Sequence, residues 1–476
     1  MIRYAPPPGS IPTLGVPSLE QVRAVHLIGV GGAGMRNLAR LFLADGLQVT
    51  GSDMKDSKGL RELRSLGADV WVGHDPARLS SPDVVIVSSA IGGSNPELVA
   101  ARARGIEVWA RQQALAALAS SRRAIAIAGT HGKTTTTSMV AVVLERAGLD
   151  PSYLVGGDLN ESGSGARSGD GDLFVFEADE SDGSFLLASP SIGVITNVDV
   201  DHVDFYPGGR DEIERAFAAF AARCGHVVAC GDDAGVRRAL ELADAEATTY
   251  GLGPDNDLIL AVDELGPAGS RGTVRERTSG RTTSVSLQVD GEHNLLDATA
   301  ALIVGELVGV DPEAGAGSLA TFAGVHRRFE HRGSARGAEF FDDYGHTPTE
   351  MEVTVATARR RNPRRLIALV QPHRYTRVQA LWRELGRSVA GADLVLITDV
   401  YGAAQEPIPG VTGQLVVDGV LLADPSTPVV YLPHRRDVVD YLDREVRTGD
   451  LVVTMGCGDV WMLGDAAIER IEGSGR

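Results

Sequence analysis

Ala124-Ile125-Ala126-Ile127-Ala128-Gly129-Thr130-His131-Gly132-Lys133-Thr134-Thr135 reads as an apolar strand that breaks at a glycine and restarts as a helix rich in threonine, valine and alanine. Gly129 and Gly132 bracket Thr130 and His131, so that backbone N–H groups are able to converge on phosphate oxygens. Lys133 supplies a cation and Thr134 a hydroxyl for magnesium. The helix that follows adds the positive end of its dipole. This stretch sets the expectation of an ATP-binding α/β domain. The position five before Gly132, a glycine in the commonest phosphate loop, is Ile127.

Downstream of the loop, strands are expected at Leu173 to Glu177, Ile192 to Thr196 and Val227 to Ala229, then an antiparallel ribbon over 271–289 and a last helix from Leu295 to Val308. Two of these strands end in acidic runs, Glu177-Ala178-Asp179-Glu180-Ser181-Asp182 and Asn197-Val198-Asp199-Val200-Asp201-His202-Val203-Asp204. Carboxylates at strand ends of an α/β sheet reach the ligand crevice. Alone they are ordinary surface loops; beside a phosphate loop they are candidates for metal.

Upstream, a strand over Ala24 to Gly29 precedes a helical pattern from Met35 to Ala44, and further strands fall at Gln48 to Gly51, Val70 to Val72, Asp83 to Ser88 and Ile106 to Trp109. That alternation means a parallel, doubly wound, Rossmann-like sheet. Gly29, Gly31 and Gly34, with Asp53 nineteen residues past the last of them, fit the dinucleotide fingerprint. The same turn is able to hold the diphosphate of another nucleotide. Ala119 to Arg123 is expected to be a linker. After Arg328-Phe329-Glu330-His331-Arg332-Gly333 the pattern restarts, with strands at Leu366 to Val370, Leu394 to Thr398, Val429 to Leu432 and Leu451 to Met455, a third α/β domain. The expected limits are 1–121 (1–20 a Pro-rich tail), 122–331 with a mostly parallel sheet of P-loop type, and 332–476, again Rossmann-like.

The chain has 476 residues, 43% hydrophobic and 5% aromatic, enough for two or three domains. A net charge of −18 opposes binding to nucleic acid or an anionic membrane. Cys224, Cys230 and Cys457 have no metal-type spacing in sequence, the N-terminus lacks the apolar core of a signal peptide, and no run is long enough to span a membrane. A cytoplasmic enzyme acting on small molecules is expected.

Taken together, His26 to Met35, the Gly-Thr-His-Gly-Lys-Thr-Thr loop, Glu177 to Asp182, Asp201-His202, Gly291-Glu292-His293-Asn294, Asp342 to Glu350 and Gln371 to Arg377 resemble the Mur ligases in order and spacing, from about Val22 to Gly464. The resemblance, to the alanine-adding branch, implies that ATP phosphorylates the carboxylate of UDP-N-acetylmuramate and that the amine of L-alanine then displaces phosphate, with Mg2+ as the metal. It implies metal contacts at Thr134, Glu177 and His202, and ATP contacts at Gly129, Thr130, His131, Gly132, Lys133, Thr134, Thr135, His293, Asn294 and Arg328. Gly29, Gly31, Gly32, Gly34, Asp53, Ser88 and Ser89 would hold the UDP-substrate, and Tyr344, His373 and Arg377 the amino acid. Lys133, His202 and His346 are the candidate catalytic residues. Three positions depart from the family pattern: Phe217 where several relatives carry a carbamylated lysine, Arg36 where serine is usual, and Thr347 where a second histidine is usual. A sister ligase that attaches a peptide, an NAD-dependent dehydrogenase and a nucleotide sensor without turnover are the competing expectations.

Overall fold

The computed structural model describes residues 15–88, 90–156, 165–201, 205–403 and 405–474. Three α/β domains follow in order, each built on its own sheet. Most of the N-terminal tail, Ser89 and His202 lie outside the described residues.

The first sheet has five parallel strands in the order Asp69–Val72, Gln48–Asp53, Ala24–Ile28, Val84–Val87, Glu107–Ala110. The order reverses between Ala24–Ile28 and Val84–Val87, which is where a doubly wound sheet opens its ligand crevice. Gly29 and Ser88 flank that point, and a Cβ on Gly29 would sit 3.1 Å from the Ser88 Cβ. Below it lies a buried polar cluster. Glu97, at 0% exposure, accepts from Ser52 Oγ and lies 3.4 Å from both His26 Nε2 and His74 Nδ1.

The second sheet has ten strands. Its parallel centre runs Ala247–Gly251, Val227–Cys230, Ile192–Ile195, Arg123–Ala128, Leu173–Glu177, Ser152–Leu154. The expected ribbon is present as Gly269–Glu276 paired antiparallel with Thr282–Leu287. Ile125 to Ala128 are wholly buried in the middle of this sheet. Ile127 is therefore a strand residue, and its carbonyl accepts from Ala178 N at 2.9 Å.

Two expectations are corrected here. Ala119 to Arg123 is no linker: a helix occupies Arg111–Ser120 and the central strand starts at Arg123. The run RQQALAALAS does not segregate its polar and apolar residues onto two faces and so gives no helical period, although Ala114, Ala117 and Leu118 are buried. The domain's last helix is also not the one ending near Val308, since Glu292–Leu307 is followed by Pro312–Leu319. Asp311 caps that second helix by accepting from the amides of Glu313 and Ala314, both at 3.1 Å, and offsets the low helix propensity of its glycines.

These two sheets and their helices, as far as Ala323, make one compact unit. A second unit runs from Gly324 to the C-terminus, with the short pieces Leu265–Gly269 and Val289–Gly291. Its sheet order is Glu330–Ala335, Ala338–Asp343, Asp450–Met455, Arg365–Val370, Leu394–Ile397, Val429–Tyr431, parallel except for the first hairpin. No helix among the described residues is long and apolar enough to cross a membrane.

Candidate active site

The phosphate loop leaves the central sheet at Ala128, between two parallel neighbours, and both contribute to it. From the end of Ile192–Ile195, Thr196 Oγ1 donates to the His131 carbonyl at 2.6 Å, while Asn197 accepts from His131 N at 2.8 Å and donates back to its carbonyl at 3.0 Å. Gly129 has φ +138, and a Cβ there would collide with Thr196 Oγ1. Gly132 has φ +82, and a Cβ there would meet Asp297 Oδ1 at 2.9 Å. Only glycine supplies both the left-handed backbone and the space.

From the other neighbour come the acidic residues. Lys133 Nζ donates to the carbonyls of Gly129 at 2.5 Å and Thr130 at 3.2 Å and to Glu180 Oε2 at 2.8 Å. Burial works to lower the Lys133 pKa, but Glu180, Asp179 and Glu177 outweigh it and hold it above the ordinary value. The ammonium stays charged at the mouth of the loop. Glu177 ends its strand and accepts from Gly156 N at 2.7 Å. Thr134 sits in the first turn of Lys133–Arg146, 8% exposed, and Thr135 follows it. Thr136 Oγ1 donates to Asp297 Oδ1 at 2.8 Å, which ties this helix to Glu292–Leu307, the helix that carries His293 and Asn294 in its first turn.

At the first sheet, Asp53 spends one carboxylate oxygen on Gly31 N at 2.9 Å and the other on Lys55 N at 3.1 Å, so it builds the glycine turn itself. Gly32 precedes the helix Ala33–Ala44, and a Cβ on Gly34 would meet the Arg111 guanidinium at 3.1 Å. The Arg36 side chain packs on Gly59, within 2.8 Å of where a Cβ there would stand. A cavity of about 220 Å³ runs from this turn to the acidic strand end, lined among others by Gly34, Asn37, Arg111, Gln112, Glu177 and Asp179. Gln112 Nε2 bonds Asp182 Oδ2 at 2.5 Å across the two domains.

Family models match in chain order: Mur ligase family, catalytic domain, over residues 24–123; Mur ligase middle domain over 127–305; and Mur ligase, glutamate ligase domain, over 327–458. The chain belongs to the Mur ligase family. Within it, a UDP-N-acetylmuramate–L-alanine ligase of Nitratidesulfovibrio vulgaris (strain DP4) is 44% identical over 449 residues, 94% of this chain and 98% of that one. One from Saccharopolyspora erythraea is 43% identical over 471 residues, 96% of each chain. Among solved structures, UDP-N-acetylmuramate–alanine ligase from Thermotoga maritima aligns with TM-score 0.79 at 26% identity, over 95% of this chain and 99% of that one. A murein peptide ligase from Psychrobacter arcticus shares the fold, with TM-score 0.70 at 24% identity, over 94% and 98%.

The C-terminal unit of this Mur ligase gathers the remaining candidates at the carboxyl ends of its parallel strands. Tyr344 and His346 follow Ala338–Asp343, His373 follows Arg365–Val370, and Arg377 opens the helix Tyr375–Val389. The His346 and His373 rings meet edge to face, 5.5 Å apart, and Arg377 Nη1 lies 3.1 Å from His373 Nδ1. Arg377 is only 5% exposed. Arg328 lies over the Tyr344 ring at 5.3 Å, and Arg327, which sequence reading passed over, at 5.0 Å. Burial raises the Tyr344 pKa. Thr347 caps the helix Pro348–Arg360 in a reciprocal box with Glu350, its hydroxyl donating to Glu350 Oε2 at 3.0 Å.

The sequence reading gave no role to Thr196, Asp297, Asn37 or Arg111, and it had Glu180 and Asn197 only as members of strand-end runs that could hold metal. For Thr196 and Asn197 a signal existed: they directly follow a strand expected beside the phosphate-loop strand.

Proposed function

We infer that this Mur ligase joins L-alanine to the carboxylate of UDP-N-acetylmuramate at the expense of ATP, in peptidoglycan precursor synthesis. The reading is carried by one observation: the cavity that starts at the glycine turn ends at Glu177 and Asp179, the carboxylates that face the Lys133 ammonium. A UDP-sugar anchored by its diphosphate at the turn extends its carboxylate toward the transferring phosphoryl group. The 44% identity to an alanine-adding relative along 94% of the chain supports L-alanine as the acceptor.

The chemistry proceeds in two steps. A carboxylate oxygen takes the γ-phosphoryl group of ATP, giving an acyl phosphate and ADP. The amine nitrogen then attacks the carbonyl carbon, phosphate leaves with the C–O bonding pair, and the amine proton is given up. Lys133 offsets charge as two anions approach, and the loop amides orient the phosphates. We assign Thr134 and Glu177, with His202, to Mg2+; the two described donors are hard oxygens that suit this ion, which when bound lowers the negative charge of the ATP phosphates. Arg377 and His373 receive the amino-acid carboxylate, and Tyr344 borders its side chain. Gly29, Gly31, Gly32, Gly34, Asp53, Ser88 and Ser89 are assigned to the UDP-substrate, His293 and Asn294 to adenine, and Arg328 to phosphate. Two of the three substrates, ATP and UDP-N-acetylmuramate, are nucleotides, which fits the cytoplasm, where we place the enzyme.

Phosphate release is measured with ATP, Mg2+ and UDP-N-acetylmuramate while single amino acids and a peptide are added in turn. Stimulation by L-alanine is expected; stimulation by the peptide alone would transfer the chain to the peptide-adding branch, and none by either would overturn the reading.

A further inference from the structure

His346, His373 and Cys457 each follow one of three neighbouring parallel strands, Ala338–Asp343, Arg365–Val370 and Asp450–Met455. One metal-ligating atom from each lies within 4.8 Å of the other two, and all three residues are half-buried. Two imidazoles and a thiol form a soft donor set, unlike the oxygen donors near Lys133. Zn2+ takes nitrogen at ~2.0–2.1 Å and sulfur at ~2.3 Å, so ligand atoms around one ion stand about 3.5 Å apart. Rotation of side chains on three loop ends closes that gap without moving the sheet.

The surroundings orient the rings toward one another and leave them room to turn. His346 Nδ1 lies 3.1 Å from the Tyr344 carbonyl, and the His373 ring stacks on Tyr401 with centroids 5.9 Å apart. Gly456, at φ +146, turns the chain after its strand and is followed at once by Cys457. Two cations border the cluster: Arg377 beside His373, and Arg327, which donates to the carbonyls of Gly456 at 2.6 Å and Gly458 at 3.1 Å on either side of Cys457.

We propose that His346, His373 and Cys457 bind Zn2+ or a similarly thiophilic divalent cation, and that this ion inhibits the ligase at its amino-acid step. This rests on the function proposed above, because His373 and Arg377 also belong to the amino-acid pocket and His346 is a candidate catalytic residue. On binding, the thiol proton passes to solvent and a sulfur–metal bond replaces the S–H bond. An α-amino acid entering such a site chelates through its amine and carboxylate. The amine lone pair is then given to the metal and is no longer available for the carbonyl carbon. Bound cation therefore stops acyl transfer whether it excludes the amino acid or captures it. Magnesium, a hard ion, does not compete for these ligands.

The test uses the full chain, stripped with chelator, in excess Mg2+. Titration with Co2+ is expected to give one equivalent of a near-ultraviolet thiolate-to-cobalt charge-transfer band, and Zn2+ is expected to abolish both that band and alanine-dependent phosphate release. Cys457→Ala should retain metal-free activity, lose the band, and need at least about tenfold more Zn2+ for inhibition. A band that persists in Cys457→Ala assigns the metal to Cys224 or Cys230 and overturns the proposal, as does Zn2+ inhibition unchanged by that substitution. If alanine-dependent turnover is absent from the start, the functional reading fails while the cobalt band still judges the site.

Discussion

Lys133 Nζ stands 2.8 Å from Glu180 Oε2 and also caps two carbonyls of its own loop, so the ammonium is held where a phosphate is to arrive. Glu180 is 2% exposed and comes from the strand end next to the loop. Lys133→Ala is expected to lower turnover about a thousandfold or more, with UDP-N-acetylmuramate still bound as read by calorimetry. Turnover within a few fold of wild type would remove Lys133 from phosphoryl transfer.

Asn197 holds His131 from both sides, accepting from its amide and donating to its carbonyl. Asn197→Ala breaks both bonds and costs about 1–2 kcal/mol of loop order. The Michaelis constant for ATP should rise about tenfold, with that for UDP-N-acetylmuramate steady. An unchanged constant for ATP would mean that the loop's shape does not depend on Asn197, and a parallel rise in both would point to a general loss of structure.

Arg377 is nearly buried at the start of its helix, 3.1 Å from His373. Arg377→Lys keeps the charge and loses the planar fork. It is expected to raise the Michaelis constant for alanine ~10–100-fold and to leave that for ATP near its original value. Steady-state kinetics with each substrate varied in turn would separate this from a general loss of structure, in which both constants and the melting temperature would shift.

Glu97 connects His26, His74 and Ser52 beneath the glycine turn. Burial pushes its pKa up, but hydrogen bonds from His26 and Ser52, the His26 charge and the Asp75 amide prevail, and the net shift is downward from 4.5. A depressed carboxyl pKa contributes stability that is present above 4.5 and is lost as pH falls through the folded-state value. Glu97→Gln should lower the melting temperature at neutral pH, and the gap to wild type should close as the solution is acidified below 4.5. A gap that stays constant down to pH ~3 would show that the carboxylate charge contributes nothing.

Local chemistry was legible in the sequence, while pairing between distant segments was not. The glycine turn, the phosphate loop and the strand-end acids are each contained within about ten residues, and the sheets formed where apolar strands alternate with helical patterns. The clamp on His131 comes from Asn197, 66 residues later, and the partner of Lys133 is 47 residues away. Gln112, which spans two domains to reach Asp182, sits in a helix whose sequence gives no helical period. Cys457 looked isolated because its spacing to the histidines in sequence carries no signal; only the strand order Ala338–Asp343, Asp450–Met455, Arg365–Val370 brings the three loops side by side. Asp53 stands where the fingerprint places its acid, but its tie to the glycine turn, from Gly31 N to Oδ2, spans 22 residues and could not be read from the spacing.

Phe217 is fully buried on the helix Arg210–Ala221, edge-on to Phe185, which in turn stacks on Phe220. A change to lysine there would strip an aromatic from that cluster and bury an ammonium among rings, at a cost of several kcal/mol. In this chain residue 217 is therefore not an independent position: its identity is tied to Phe185 and Phe220, and lysine fits there only if both are remodelled with it.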